Sequence, residues 1–432
     1  MLFVKADFQA RSPRKRGISA LAHAFASGVL ASSPMRIAYI APYQGPALVK
    51  TRSIIRNLSL GSNTKIELIA GLLQKHSHNV EILSQGEVVV RQFKSYPGFQ
   101  EPDAFDPNIP VHYGLAFPVR FLNGWSSSMS LLRIFKARHR VKPFDAVAIY
   151  NLKPPQVTCA NYAIRRMGLP VILEYEDDLF IKTAQNNGNR FTSGFYLGAA
   201  RRLLGSVSGC LAGSPYLLSQ VKRNVPKLLL PGIVSDAIPK AAQQAGNDRK
   251  NWVVFSGTHS KAQGLEQLVE AWKIGKLPDW ELHIAGHGSL TATLHKSAEK
   301  TPTIVFHGVI NGQQNARLLA AGKIAVVPYD VSQSNGFSFK TIESLAASLH
   351  VITTPLRALE GLEKEMQRGI TYLKDNAPDT IAACLKQVIE TRQYEQTAQQ
   401  AALDRYGSAA ASRLLETFFK QVMAFNSENE HQ

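Results

Sequence analysis

Trp252-Val253-Val254-Phe255, followed by Ser256-Gly257-Thr258-His259-Ser260-Lys261-Ala262-Gln263-Gly264, runs from a strand through a glycine-bearing turn into a helix. The helix that follows carries Leu265, Leu268, Val269 and Trp272 on one stripe, the pattern of a helix that covers a sheet. The turn suits an anion: glycine lets backbone N–H groups approach, a helix N-terminus favours negative charge, and Lys261 adds a cation. A tight turn also favours glycine for steric reasons alone, so this unit speaks for the fold more firmly than for the ligand.

The pattern repeats outward from there. Downstream, apolar runs at Glu281 to Ala285, Thr303 to Phe306, Ile324 to Pro328 and Val351 to Thr353 read as strands. Helical patterns at 264–273, 312–321, 338–348 and 378–392 fall between or after them. A last helix carries Leu414, Leu415, Phe418, Phe419, Val422 and Phe425 on a broad face that must cover its own domain or the first one. Upstream, strands are expected at Arg36 to Ile40, Asn79 to Leu83, Asp145 to Tyr150 and Val171 to Tyr175, with shorter units at 211–215 and 227–232. Helices are expected at Ile66 to Gln74 and Asn161 to Met167, the second closing at Gly168. Residues 91–125 lack a period and read as a long irregular loop, and Ile238 to Lys250 reads as a linker.

This alternation predicts an α/β protein with two parallel sheets. The expected division is a basic segment 1–34, a first domain 35–235, a second domain 251–404, and a helix 405–432 that returns to the first domain. Segment 1–34 sets Lys5, Arg11, Arg14, Lys15 and Arg16 against a single acid, Asp7, and is expected to be disordered or loosely packed. An upstream start codon, a targeting peptide and a basic amphipathic anchor are its three readings; Met35 heading a complete strand favours the first.

Composition narrows the class. With 432 residues, 45% of them apolar, the chain is long enough for two α/β cores. No stretch approaches the roughly 20 apolar residues of a membrane span. Cys159, Cys210 and Cys384 are scattered and odd in number, which argues against a disulfide framework or a zinc site and fits a reducing cytosol. A formal charge of +17 predicts attraction to anions. In the absence of an arginine-rich arm, zinc-finger spacing or an RNA-recognition signature, the expected partner is an anionic membrane surface, weakly held, and not nucleic acid.

Two further segments carry candidate chemistry. Ser334 to Ala346 launches a helix whose first turns present Lys340 and Glu343. The helix N-terminus and Lys340 suit a diphosphate, and a carboxylate one turn away can accept from two neighbouring ribose hydroxyls. A capped amphipathic helix with a surface Lys and Glu is the plain alternative. Glu174-Tyr175-Glu176-Asp177-Asp178 ends a strand, where ligands of open α/β sheets sit. One of these acids suits acceptor hydroxyls or a departing proton, against the alternative of a helix N-cap. Gly286-His287-Gly288 is by itself an ordinary turn.

Taken in order, these pieces resemble the family-4 retaining glycosyltransferases of the GT-B fold, from Met35 over nearly the whole chain. Val254 to Thr258, Gly264 to Ala271, Leu282 to Gly288, Val305 to Val309 and Ala325 to Pro328 carry the resemblance, together with Asn335 to Ala346. It implies two Rossmann-like domains facing across a cleft, with the C-terminal helix packing back. It also implies a donor site of Gly257, Thr258, Lys261, Gly286, Gly308, Val309, Gly336, Phe337, Ser338, Lys340 and Glu343. Glu343 matches the family's ribose-holding glutamate, and Lys340 a lysine that some members carry. Asn335 falls where the family has a glutamate near the donor sugar. Thr258 and Gln263 replace a usual arginine and lysine, with Lys261 as a stand-in, and Ser348 and His350 replace a usual glycine and proline. Glu176 falls at a strand-end histidine position and is followed by a matching Asp177. Glu176 and Asn335 are therefore the candidate catalytic positions, with Gly45 and Asp177 on the acceptor and phosphate side.

The implied activity is transfer of a sugar from a nucleotide-diphosphate donor to a glycan or lipid-linked acceptor hydroxyl, with retention. Neither a metal nor a separate cofactor is expected. Cell-surface polysaccharide or glycolipid synthesis, in the cytoplasm at the inner face of the membrane, is the expected setting. Asn335 and Glu176 leave two alternatives open: a non-catalytic nucleotide- or glycan-binding subunit, and a sugar-nucleotide epimerase.

Overall fold

The computed structural model describes residues 34–52, 60–86, 93–119, 123–178, 180, 190–221, 223–330, 338–356, 359 and 362–430. The expectations for segment 1–34, apart from Pro34, lie outside these residues.

In the first half the strands are β1 (Arg36–Ile40), β2 (Asn79–Ser84), β3 (Phe99–Glu101), β4 (Val111–Tyr113), β5 (Ala146–Tyr150), β6 (Val171–Tyr175), β7 (Gly209–Ala212) and β8 (Lys227–Leu229). They form one sheet in the order β3-β4-β2-β1-β5-β6-β7-β8, parallel except for β3 against β4. Strand side chains alternate between faces, and β1 shows the consequence. Ile37 and Tyr39 enter one core; Ala38 and Ile40 enter the other.

The first core is covered by α1 (Pro46–Thr51) and α2 (Leu60–Lys75), the latter through Ile66, Ile69 and Leu73. The second lies under α3 (Asn123–Val141), α4 (Pro154–Tyr162, continued by a π turn, Ala163–Met167), α5 (Arg190–Leu204) and α6 (Pro215–Gln220). Leu131, Phe135, Val157, Ala160, Leu203 and Leu217 close it.

The second half is built on β9 (Trp252–Ser256), β10 (Glu281–Ala285), β11 (Ile304–Gly308), β12 (Ile324–Val327), β13 (His350–Thr353) and β14 (Ile370–Tyr372). Their order is β11-β10-β9-β12-β13-β14 and every pairing is parallel. That is the doubly wound arrangement, with its reversal between β9 and β12. Helices α7 (Ala237–Ala245), α8 (Leu265–Gly275), α9 (Thr291–Ala298), α10 (Gly312–Ala321), α11 (Phe339–Ala346), α12 (Lys364–Gln367), α13 (Pro378–Glu390) and α14 (Gln399–Tyr406) surround one core. The last helix, α15 (Ser408–Glu430), returns to the first half, where Leu415, Phe418, Phe419 and Val422 join the core over α2.

The chain thus passes between the halves twice, and the two passages run side by side. Val234 donates its N–H to the Tyr406 carbonyl at 2.8 Å and bridges Gly407, while the Ser408 hydroxyl donates to Asp236.

Three expectations are corrected. The stretch 238–250 is no linker: α7 occupies most of it and inserts Ile238, Ala241 and Ala242 into the second core. Its apolar stripe is built largely of alanine, which a search for bulky periodicity passes over. Within 91–125, β3 and β4 extend the sheet and α3 begins at Asn123. Helix α4 starts at Pro154, seven residues before Asn161, with proline in its first turn, where the missing N–H costs nothing.

Candidate functional site

At the end of β9 three glycine turns lie in register. Gly257 donates its N–H to Ala285 at 3.0 Å, and Gly286 donates to Gly308 at 2.7 Å. Gly257, Gly286 and Gly308, predicted from three separate motifs, are therefore brought together behind β9, β10 and β11. A Cβ on Gly286, whose φ is +127°, would lie 1.8 Å from the Gly257 carbonyl oxygen, so only glycine fits there. Gly264, at φ +66°, opens α8 against β12; a Cβ on it would lie 1.9 Å from the Pro328 oxygen.

Helix α11 brings the next residues to the same place. Ser338 is buried at its N-cap, where its hydroxyl accepts from the Thr341 N–H at 3.4 Å and donates to the Tyr329 hydroxyl at 3.1 Å. Lys340, two positions on, lies across Gly257: a Cβ there would come 2.0 Å from the Lys340 Cε. The Lys340 ammonium donates to Gln263 Oε1 at 2.8 Å and stands 5.6 Å from the Tyr329 ring centre. It makes no ion pair with a carboxylate among the described residues.

One turn on, Glu343 and Lys340 line a pocket with Ser256, Asn315 and Val327. Burial pushes the Glu343 carboxyl up to about 7, against the pull of Lys340. A site that raises an acid this far prefers a neutral or hydrogen-bonded partner to a bare carboxylate, and a diol supplies two donors.

Thr258, Lys261, Gly308 and Val309 are exposed at the rim of these turns. Asn335, Gly336 and Phe337 lie outside the described residues. Sequence reasoning missed Gln263 as the partner of Lys340, and also missed His259. The His259 ring is buried beneath the turn, where it meets the Thr291 hydroxyl at 3.0 Å, and burial lowers its pKa.

The strand-end acids of the first half are organised differently. Asn151, held at φ +60° after β5, accepts the N–H groups of Glu176 and Asp177 at 2.7 and 2.9 Å. Asp177 is exposed. Glu176 is not: its carboxylate meets the Lys65 ammonium of α2 at 2.5 Å, and Lys65 also donates to the Leu230 carbonyl at 2.8 Å. Glu174 lies 3.9 Å from the same ammonium and accepts from the Tyr39 hydroxyl. Burial raises the pKa of both acids, that of Glu174 to about 8, while Lys65 opposes the rise.

Gly45 sits at the N-cap of α1, but its N–H donates to the Tyr113 hydroxyl at 2.9 Å. Tyr113 in turn donates to Glu101 at 2.9 Å, and Ala47 donates its N–H to the same carboxylate at 2.8 Å. A carboxylate of this chain already sits where the expected phosphate contact lies. Glu101 and Tyr113 belong to β3 and β4, in the stretch read as loop, so nothing local in the sequence announced them.

A short segment joins the two sites. Two residues after Leu230, a Cβ on Gly232 would lie 2.2 Å from the Phe339 ring, beside Lys340. Among the described residues no cluster of three His, Cys, Asp or Glu side chains is placed to hold a metal, and no helix is long and apolar enough to cross a membrane.

Comparison with known proteins supports the architecture. No curated protein sequence matches the chain significantly. Among solved structures, sucrose-phosphate synthase from Thermosynechococcus elongatus superposes with a TM-score of 0.64 at 15% identity, over 90% of this chain and 99% of that one. Anabaena HepE in complex with UDP gives 0.60 at 15% identity, over 89% and 100%. WaaG, a glycosyltransferase involved in lipopolysaccharide biosynthesis, gives 0.55 at 14% identity, over 90% and 99%. These likenesses show that the two Rossmann-like halves form a GT-B fold. Within the second half, residues 250–391, which hold Gly257, Lys340 and Glu343, match the family described as glycosyl transferases group 1.

Proposed function

We propose that the chain is a glycosyltransferase that moves a sugar from a nucleotide-diphosphate donor to an acceptor hydroxyl. The observation that carries this reading is the convergence behind β9, where Lys340 lies across Gly257 and shares a pocket with Glu343. In this reading the diphosphate occupies the start of α11, met by Lys340 and backbone N–H groups, and Glu343 accepts from the two ribose hydroxyls. Lys261, exposed at the rim, adds a second cation. Stabilising the departing diphosphate with fixed dipoles and cations lowers the barrier, and closure of the halves excludes water.

Retention of configuration, independence from divalent ions, and an acceptor of the polysaccharide or glycolipid class belong to the same proposal. HepE, a neighbour in fold, is seen with UDP and with UDP-glucose, which supports a nucleotide sugar as the ligand class to try first. A thermal-shift screen of UDP-, GDP- and ADP-sugars is the direct test, since a ligand of the native state raises the midpoint. One nucleotide class should do so, and EDTA should leave both binding and turnover unchanged. A flat response to all three classes sinks the proposal. The Lys65–Glu176 pair favours one second reading, a subunit that binds the nucleotide without transfer. Donor binding with no turnover across a panel of glycan and lipid-linked acceptors would select it.

A further inference from the structure

Between Leu230 and Val234 the chain crosses from one core to the other. Leu230 and Ile233 are buried in the first core, Val234 in the second. Leu230 is tied at both ends: its N–H donates to the Ala212 carbonyl at 2.9 Å, and its carbonyl accepts from the Lys65 ammonium at 2.8 Å. Gly232, between these anchors, is a buried point of backbone held by the first half.

Glycine is required there for room. Gly232 lacks the positive φ of Gly257, Gly264 and Gly286, so its backbone conformation does not call for glycine. The Phe339 ring does: a Cβ on Gly232 would lie 2.2 Å from its Cδ2 and Cε2 and 2.8 Å from its Cγ. A packed ring cannot step aside as the end of a lysine can. Phe339 opens α11, between the N-cap Ser338 and Lys340. The second half holds the same turn from its own side, where the Ser338 hydroxyl meets the hydroxyls of Tyr329 and Thr341 at 3.1 and 2.8 Å. The first turn of α11 is thus gripped from both halves, and Lys340 is the next residue along.

We propose that Phe339, seated on Gly232, is a positioning residue that carries the placement of the first half to Lys340. The proposal rests on the donor-site reading and adds that the cation's place is set by both halves. Calorimetry of the full chain with UDP, GDP and ADP reads it. Gly232→Ala should weaken the nucleotide that binds wild type about tenfold, the lower end of the loss of a charged hydrogen bond. Gly232→Ala/Phe339→Leu, in which leucine gives up about the volume of the added methyl, should recover most of that affinity. In a Lys340→Met background, Gly232→Ala should cost less than about twofold, because a residue that acts through Lys340 has nothing left to move. Losses that add in full would overturn the proposal. So would a melting point lowered by Gly232→Ala with nucleotide affinity intact, the mark of packing alone. Failure of the donor-site reading looks different: no nucleotide binds wild type. Hydrogen exchange decides in that case too, since the Thr341 amide, bonded to the Ser338 carbonyl at 3.2 Å, should exchange about tenfold faster in Gly232→Ala. Exchange there at the wild-type rate would show that the ring does not hold the start of α11, and by itself overturn the proposal.

Discussion

Lys340 and Lys65 each stand beside a glutamate at the carboxyl ends of a parallel sheet, yet they are held in opposite ways. Lys65 is enclosed: Glu176 lies at 2.5 Å, the Leu230 carbonyl at 2.8 Å and Glu174 at 3.9 Å. Lys340 rests on a neutral amide, Gln263, and lines a small pocket. An amide hydrogen bond is exchanged at little net cost, whereas separating a buried ion pair leaves a charge with neither water nor partner. The second half thus keeps a cation ready for an incoming anion, and the first half has used its cation internally.

Four substitutions or conditions break or sharpen this contrast. The largest effect is expected at Lys65. Lys65→Met should cost about 3–5 kcal/mol of stability in urea unfolding, because Glu176 is left buried and unpaired. Lys65→Met combined with Glu176→Gln should recover most of it. A single variant as stable as wild type would show that the pair is not closed after all. Lys340→Met should do the reverse: its melting point should stay near wild type, while affinity for the nucleotide diphosphate, read by calorimetry, falls about ten- to a hundredfold through loss of about 1.5–3 kcal/mol of charged hydrogen bonding.

Gly257→Ala should give a smaller loss of donor affinity. Its Cβ would displace the Lys340 Cε, now 2.0 Å from that position, and a flexible side chain can move aside. Affinity equal to wild type would show that Lys340 does not need its seat on Gly257.

The smallest effect is the pH dependence of Glu343. Its carboxyl is raised by burial to about 7 from an ordinary value of 4.5. A group raised on folding stabilises the native state while it stays protonated. Glu343 should therefore withdraw stability from the ligand-free protein as pH climbs from 4.5 to about 7, with no further change above. Donor affinity should move the other way, rising up to about tenfold between about pH 6 and 8 as the carboxylate forms, with proton release on binding. Calorimetry in two buffers of different ionisation enthalpy reads that proton directly. Affinity that falls over this range would remove the carboxylate from the ribose.

The second half was the more legible in sequence. Its strands are short apolar runs closed by glycine turns, so Val253 to Gly257 and Leu282 to Gly286 announce both the element and its end. The convergence of Gly257, Gly286 and Gly308 follows once the strand order is known. In the first half the decisive contacts join distant segments. Lys65 and Glu176 are 111 positions apart, and no local spacing links a lysine in α2 to the end of β6. Helix α3 was missed for another reason: Asn-Gly-Trp-Ser-Ser-Ser at its start looks like a turn. Packing of Leu131 and Phe135 overrides that weak propensity.

The paired passages near Val234 and Gly407 have a mechanical consequence. A backbone hydrogen bond ties the two passages together, so a swing of one half against the other would turn about that line. Any stiffening placed there, such as proline at Ser235, would act on such a swing from a point outside the candidate site.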